Sequence, residues 1–130
     1  MTMTAKELGE TSLRLTKEKD RDAWLALFTP DAVIEDPVGG SPRFGAGSEG
    51  HRGIEAITRF YDTTASAVDS LSYEIERSYL CGSEAAFVAT FHMVVGGHRL
   101  DIDVVNIYTA TDDGLLKSLR SYWDGTQQGK

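Results

Sequence analysis

Basic residues are scarce in this chain, and so are cysteine and proline. Thirteen lysines and arginines stand against 20 aspartates and glutamates, a formal net charge of −7. Binding along a phosphate backbone needs basic neutralisation, so nucleic acid is not an expected partner. One cysteine, Cys81, leaves no internal disulfide framework. No apolar run approaches the roughly 18 residues that span a bilayer. The opening "MTMTAKELGE" lacks the apolar segment of a secretory signal, so the expected location is the cytoplasm, with no membrane partner. A length of 130 residues suits one domain, residues 1–130, with a single core. Repeats, heptads and charge blocks are absent as well.

The residues present fall into two halves. "TAKELGETSLRLTKEKD" sets Leu8, Ser12 and Leu15 at helical spacing, a narrow apolar stripe with a serine inside it. Asp20 or Asp22 can cap a short second helix, "DAWLALF", which Pro30 is expected to stop. A short strand, "AVIEDP", follows. Residues 38–53 hold six of the 13 glycines and one of the three prolines, which predicts a long loop. "GIEAITRFYDTTASAVDSL" then repeats apolar residues at Ile54, Ile57, Tyr61, Ala65 and Val68, predicting a third helix. The remainder reads as strands: "LSYEIERSYL", "EAAFVATFHMVVGG", "HRLDIDVVNIYT" and "GLLKSLRSYWD". Helices followed by an antiparallel sheet make an α+β layout.

Within the loop, "GAGSEG" matches the G-x-G-x-x-G dinucleotide fingerprint at Gly45, Gly47 and Gly50. That motif works only where a strand runs directly into the first glycine and the last opens a helix, so that the helix N-terminus meets a pyrophosphate. Here Pro42 and its neighbours intervene, no parallel βαβ series follows, and Glu49 would set a negative charge against the phosphate. The glycines are better explained as turn residues.

Alternation along the strands isolates a few polar side chains on apolar faces. Ala32, Ile34 and Asp36 share a face of the first strand. A carboxylate turned towards a core is costly unless paired, and desolvation raises its pKa, which makes Asp36 a candidate general base. Capping of the following loop is the alternative role for the same residue. In the third long strand Asn106 shares a face with Leu100, Ile102, Val104 and Tyr108. Such an amide either bonds nearby backbone or offers N–H donors to something bound. Leu119, Ser121 and Trp123 share a face of the last strand, with Trp123 as core or pocket wall. Asp101 and Asp103 alternate with apolar residues and are expected on a solvated or interface-facing strand edge. His92, His98, Asp101 and Asp103 show no metal-ligand spacing, and no G-x-S-x-G accompanies a serine, so neither a metal nor another cofactor is expected.

"WLALFTPDAVIEDPVGGSPRFG", "GIEAITRFYD", "EAAFVATFHMVVGG" and "DGLLKSLRSYWD" resemble the bacterial ketosteroid isomerase family, within the superfamily of nuclear transport factor and polyketide cyclase folds. The likeness covers nearly the whole chain. It implies a conical α+β fold, three N-terminal helices on a curved, mainly antiparallel sheet that encloses an apolar pocket, and a homodimer packed through the sheets. It also implies the known mechanism of that family, in which the aspartate of E-D-P, here Asp36, carries a proton between two carbons of a steroid. The family's oxyanion hole is a tyrosine on the first helix and an acid on the third long strand; ungapped counting puts these positions at Ser12 and Asn106. Tyr61 matches a tyrosine that supports the first one. Ser12, Ile34, Val104, Leu119 and Trp123 are then expected to line the substrate site. Three functions remain open: an isomerase acting next to a carbonyl, a binding protein for apolar steroid-like ligands, or another reaction on this fold, such as a polyketide cyclase, dehydratase or epoxide hydrolase.

Overall fold

The structure, a computed structural model, describes residues 2–41 and 47–124. Helix α1 (Ala5–Glu18) starts at a capping box: Thr4 Oγ1 accepts from the Glu7 amide at 3.2 Å, and the Glu7 carboxylate accepts from the Thr4 amide at 2.9 Å. Asp20 caps α2 (Arg21–Leu25) by accepting from the Ala23 amide. This second helix ends earlier than its sequence suggests. The chain has already turned into strand β1 (Phe28–Glu35), and Pro30 lies inside that strand. Proline is accommodated there because the register with the neighbouring strand shifts between Phe28 and Val33.

The glycine-rich segment is also less uniform than expected, since His51 and Arg52 form a two-residue strand, β2, against Ile34 and Val33. Of the fingerprint glycines, Gly45 lies outside the described residues, and Gly50 leads into β2 rather than a helix. A Cβ at Gly50 would lie 2.7 Å from the Ile34 carbonyl oxygen, and its φ is +75°, so the β1–β2 pairing itself requires glycine there. Helix α3 (Ile54–Thr63) buries Ile57, Phe60 and Tyr61. It stops short of the predicted end: Ala65 belongs to a 3-10 turn, and Val68 opens β3 (Val68–Cys81) opposite Val95. The apolar spacing continued past Thr63, but strand pairing overrode it. Arg21 Nε and a terminal guanidinium nitrogen hold both Asp62 carboxylate oxygens, at 2.7 and 3.0 Å, and so tie α2 to α3.

Strands β4 (Glu84–Val95), β5 (His98–Ala110) and β6 (Leu116–Tyr122) complete a six-stranded sheet in the order β2-β1-β6-β5-β4-β3. Every pairing is antiparallel except β1 with β6. Register shifts in β3, between Val68 and Ser70 and between Ile75 and Arg77, add the extra residues that bend such a sheet. Three helices cover one face of this open, curved sheet, and the chain has the expected cone fold. No helix among the described residues is long and apolar enough to cross a membrane.

The covered face carries two apolar clusters. The larger joins Leu8, Trp24, Ile34, Ile57, Phe87, Tyr108 and Leu116 under the helices. The smaller consists of Ala89, Ile102 and Val104, with Phe91, Met93, Leu100 and Trp123 only half-buried around them. Asp101 and Asp103 are not on an edge, because β5 lies in the interior of the sheet. They project from its outer face, where His92 Nδ1 lies 2.7 Å from Asp101 and Thr90 donates to Asp103 at 3.0 Å.

Candidate functional site

The end of β1 sets the site. Glu35 is the last residue of that strand, paired with Arg120 of β6, and Asp36 follows it directly. The Val38 amide then donates to the Ser121 carbonyl at 2.8 Å, which pins the turn after Asp36 onto β6. Asp36 therefore lies beside Ser121 and Trp123. The Trp123 indole N–H donates to one Asp36 oxygen, and the Ser121 hydroxyl lies within hydrogen-bond reach of the carboxylate. Burial pushes the Asp36 carboxyl above its ordinary value, and the contacts with Trp123 and Ser121 and the nearby His51 offset only part of that rise.

Ser121 stands directly opposite Asn106 on β5, and its hydroxyl lies 2.6 Å from Asn106 Oδ1. At the other end of the amide, Asn106 Nδ2 donates to the Tyr108 hydroxyl at 3.1 Å. Tyr108 also hydrogen-bonds Ser12 from α1. Five side chains thus form one connected polar row: Asp36, Ser121, Asn106, Tyr108 and Ser12. All but Asp36 are buried, with exposures of 4% or less. Buried polar groups survive only when partnered, and this row partners itself. Burial pushes the Tyr108 phenol far above its usual range.

Gly9 makes the row possible. A Cβ there would sit 2.7 Å from the Phe87 ring and 2.8 Å from the Tyr108 ring, so only glycine lets α1 come close enough for Ser12 to reach Tyr108.

The structure brings Asp36, Asn106, Ser12 and Trp123 together. It does not bring Tyr61 to them: that ring packs on Trp24 at 5.2 Å, and the charges acting on its hydroxyl are those of Arg21, Asp20 and Asp62. Ile34 is completely buried in the larger cluster, and Leu119 belongs to it too, so they back the site rather than face its open side. Val104 belongs to the smaller, half-open cluster. Sequence reasoning gave no role to Tyr108 or Ser121. Both were readable as polar atoms on the same strand faces as Asn106 and Trp123. His51, stacked on Phe60 at 4.7 Å, carried no such signal, because nothing local predicts β2.

A concavity of about 310 Å³ opens where β6 ends, lined by Glu76, Thr90, Asp103 and Tyr122 together with Ala89, Val104 and Trp123 of the smaller cluster. Among the described residues, no group of three or more histidine, cysteine, aspartate or glutamate side chains is placed to hold a metal ion.

The family model of the SnoaL-like domain matches residues 10–119. The chain belongs to this family. SnoaL-like domains fall in the nuclear transport factor-like superfamily, and ketosteroid isomerases stand among this member's relatives. A steroid Δ-isomerase of Nocardioides simplex is 31% identical over 98 residues, 75% of this chain and 72% of that protein. The Δ5-3-ketosteroid isomerase of a Mycobacterium species superposes with a TM-score of 0.80 at 31% identity, covering 90% of both chains. RV0760c of Mycobacterium tuberculosis, in complex with estradiol-17β-hemisuccinate, superposes with a TM-score of 0.86 at 29% identity, covering 97% of this SnoaL-like chain and 98% of its own.

Proposed function

We propose that this protein is a ketosteroid isomerase-like enzyme that moves a proton next to a carbonyl in an apolar, steroid-like substrate. The observation that carries the reading is Asp36, a desolvated carboxylate at a strand end, hydrogen-bonded by Trp123 and joined through Ser121 to the buried amide of Asn106. The substrate's rings would lie on the half-buried Phe91, Met93, Leu100 and Trp123, where covering apolar surface contributes about 25 cal/mol per Å². Asp36 takes a proton from the carbon next to the carbonyl, and the bonding pair moves onto the carbonyl oxygen as an enolate. An Asn106 N–H stabilises that oxygen by a hydrogen bond that strengthens as charge develops. Asp36 then returns the same proton to a different carbon, so substrate and product are isomers and no cofactor is consumed. A raised pKa suits the base, since a stronger base removes a carbon-bound proton more readily.

The alternative is a binding protein that keeps the apolar face without the chemistry. It draws support from Ser12, which stands where related isomerases carry a tyrosine and is turned into Tyr108 rather than towards the open side. One assay separates them. An unconjugated 3-keto-5-ene steroid is mixed with the protein, and the absorbance of the conjugated product is followed. Catalysed conversion supports the isomerase; tight binding without conversion establishes the binder.

The same reading includes a homodimer through the outer face of the sheet. Tyr79, Val105 and Tyr122 are 51%, 37% and 40% exposed there, more apolar surface than a solvated strand face needs. Light scattering at micromolar concentration is expected to give twice the chain mass, and a monomer would remove the dimer from the proposal.

A further inference from the structure

The Ser121 hydroxyl has one proton and two neighbours that can accept it. Asn106 Oδ1 lies 2.6 Å away on one side, and the Asp36 carboxylate lies on the other. With Asp36 ionised, the carboxylate is the stronger acceptor and takes the Ser121 proton. A carbonyl oxygen at 2.6 Å from the lone pairs of Ser121 would then face it with no proton between them. Both ends of a carboxamide have the same shape, so half a turn of the Asn106 amide keeps every contact and exchanges donor for acceptor. Nδ2 then donates to Ser121, and Oδ1 accepts from the Tyr108 hydroxyl, which accepts in turn from Ser12. Every hydrogen bond in the row points towards Asp36.

With Asp36 protonated, each step reverses. The carboxylic acid donates to Ser121, and Ser121 donates to Asn106 Oδ1. Asn106 Nδ2 donates to Tyr108, and Tyr108 donates to Ser12. This is the orientation the structure has at Asn106, with Nδ2 towards Tyr108. In both arrangements each neighbouring pair along the row has one donor and one acceptor.

We propose that Ser121 couples the protonation of Asp36 to the orientation of the Asn106 carboxamide, so that the row from Asp36 to Ser12 reverses its donor sense when the base takes up a proton. Ser121 is a positioning residue in this scheme. It rests on the isomerase reading only for its use: when Asp36 has taken the substrate's proton and charge sits on the substrate oxygen, the amide nitrogen is turned to the Tyr108 side with its second N–H able to donate. The coupling itself needs no substrate. Other titratable groups acting on the row are few. His51 from β2 faces Asp36 and is itself influenced by Arg59 of α3, while Tyr73 of β3 acts on Tyr108. Helix α1 contributes Ser12, and its Arg14, Glu18 and Glu10 act on Tyr73.

The test is a titration of isotope-labelled protein by nuclear magnetic resonance, reading the Asp36 carboxyl carbon and the Asn106 side-chain amide together, without ligand. In the native protein both are expected to shift with one common midpoint. Ser121→Ala is expected to leave the Asp36 step in place, moved to higher pH by the loss of a donor, and to flatten the Asn106 response. Ser121→Thr, which keeps the hydroxyl, restores it. Asp36→Asn abolishes the Asn106 step, whereas a step persisting there at the midpoint of His51 would assign the response to His51 and overturn the proposal. An Asn106 amide that is silent while Asp36 titrates, or that follows Asp36 unchanged in Ser121→Ala, overturns it too. Because no turnover is read, loss of the isomerase reading in the steroid assay leaves this result standing, and the reverse holds.

Discussion

Two stretches of the same strands, on the same face of the same sheet, meet opposite fates. At one end Phe87 of β4 and Tyr108 of β5 are completely buried beneath α1. A few residues along, Phe91 and Leu100 have equally apolar neighbours but remain half-exposed. Inward alternation is unbroken from one end to the other, so strand pattern does not distinguish them. What differs is the helix above. Gly9 lets α1 sink onto Phe87 and Tyr108 and close one end, and the polar row from Ser12 to Asp36 runs along the edge of the closed cluster. Apolar area that a stable core would cover with its own side chains is left uncovered at the other end.

The sharpest challenge to this division is removal of the base at its border. Asp36→Asn is expected to lower isomerase turnover by about two to four orders of magnitude, the usual contribution of a positioned base. Affinity for the steroid should change little, since the open apolar face is untouched. Steady-state rates and calorimetric affinity on one sample check both parts, and full turnover in the variant would end the assignment.

Next in size is a paired truncation. Leu8→Ala at the closed end is expected to cost about 2–5 kcal/mol in denaturant unfolding, as fully buried leucines do. Phe91→Ala at the open end should cost about 1 kcal/mol, because part of its ring is already in water, yet weaken steroid binding. Equal stability losses would mean that the open end is ordinary core.

Gly9→Ala tests what closes the cluster. Alanine gains about 1 kcal/mol of helix propensity, but its methyl would meet two packed rings below 3 Å, and overpacking of that kind costs about 1–3 kcal/mol. A net loss of about 1 kcal/mol is expected in thermal unfolding. A stabilised variant would show that α1 is free to move off the sheet.

The border between the two ends also marks how far the sequence could be read. Strand faces follow from alternation alone, so Asp36, Asn106 and Trp123 are recognisable in the sequence as polar or amphipathic groups on an inward face, and the structure brings them together. Tyr61 stands out by matching position and lies on the inward face of its helix, but which core it enters depends on α2 and the Arg21–Asp62 tie. Ser121 and Tyr108 gain their importance from cross-strand register, Asn106 opposite Ser121, which no local pattern specifies. The ends of α2 and α3 depart from the apolar spacing for a related reason: pairing at Phe28 and Val68 with strands distant in sequence outweighs helical spacing.

The smallest effect carries the clearest sign. Burial raises the Asp36 carboxyl above the ordinary value of 3.8, so the native state binds its proton more tightly than the unfolded chain does. Below that ordinary value the group is neutral in both states, and its contribution to stability is fully present. As pH rises through the native pKa, the unfolded chain ionises freely while the folded one must ionise a desolvated carboxyl, and the contribution is lost. Asparagine keeps the shape and an oxygen to accept from Trp123 but never ionises. Asp36→Asn should therefore melt at a higher temperature than the native protein at pH 7, with the difference narrowing as the pH is lowered towards 4. A loop-capping aspartate gives the reverse, a variant about 1 kcal/mol less stable at neutral pH. Melting curves of both proteins across that range decide which role evolution has given the carboxylate: a group held at a cost to stability because chemistry at the border needs it, or a group that holds the turn.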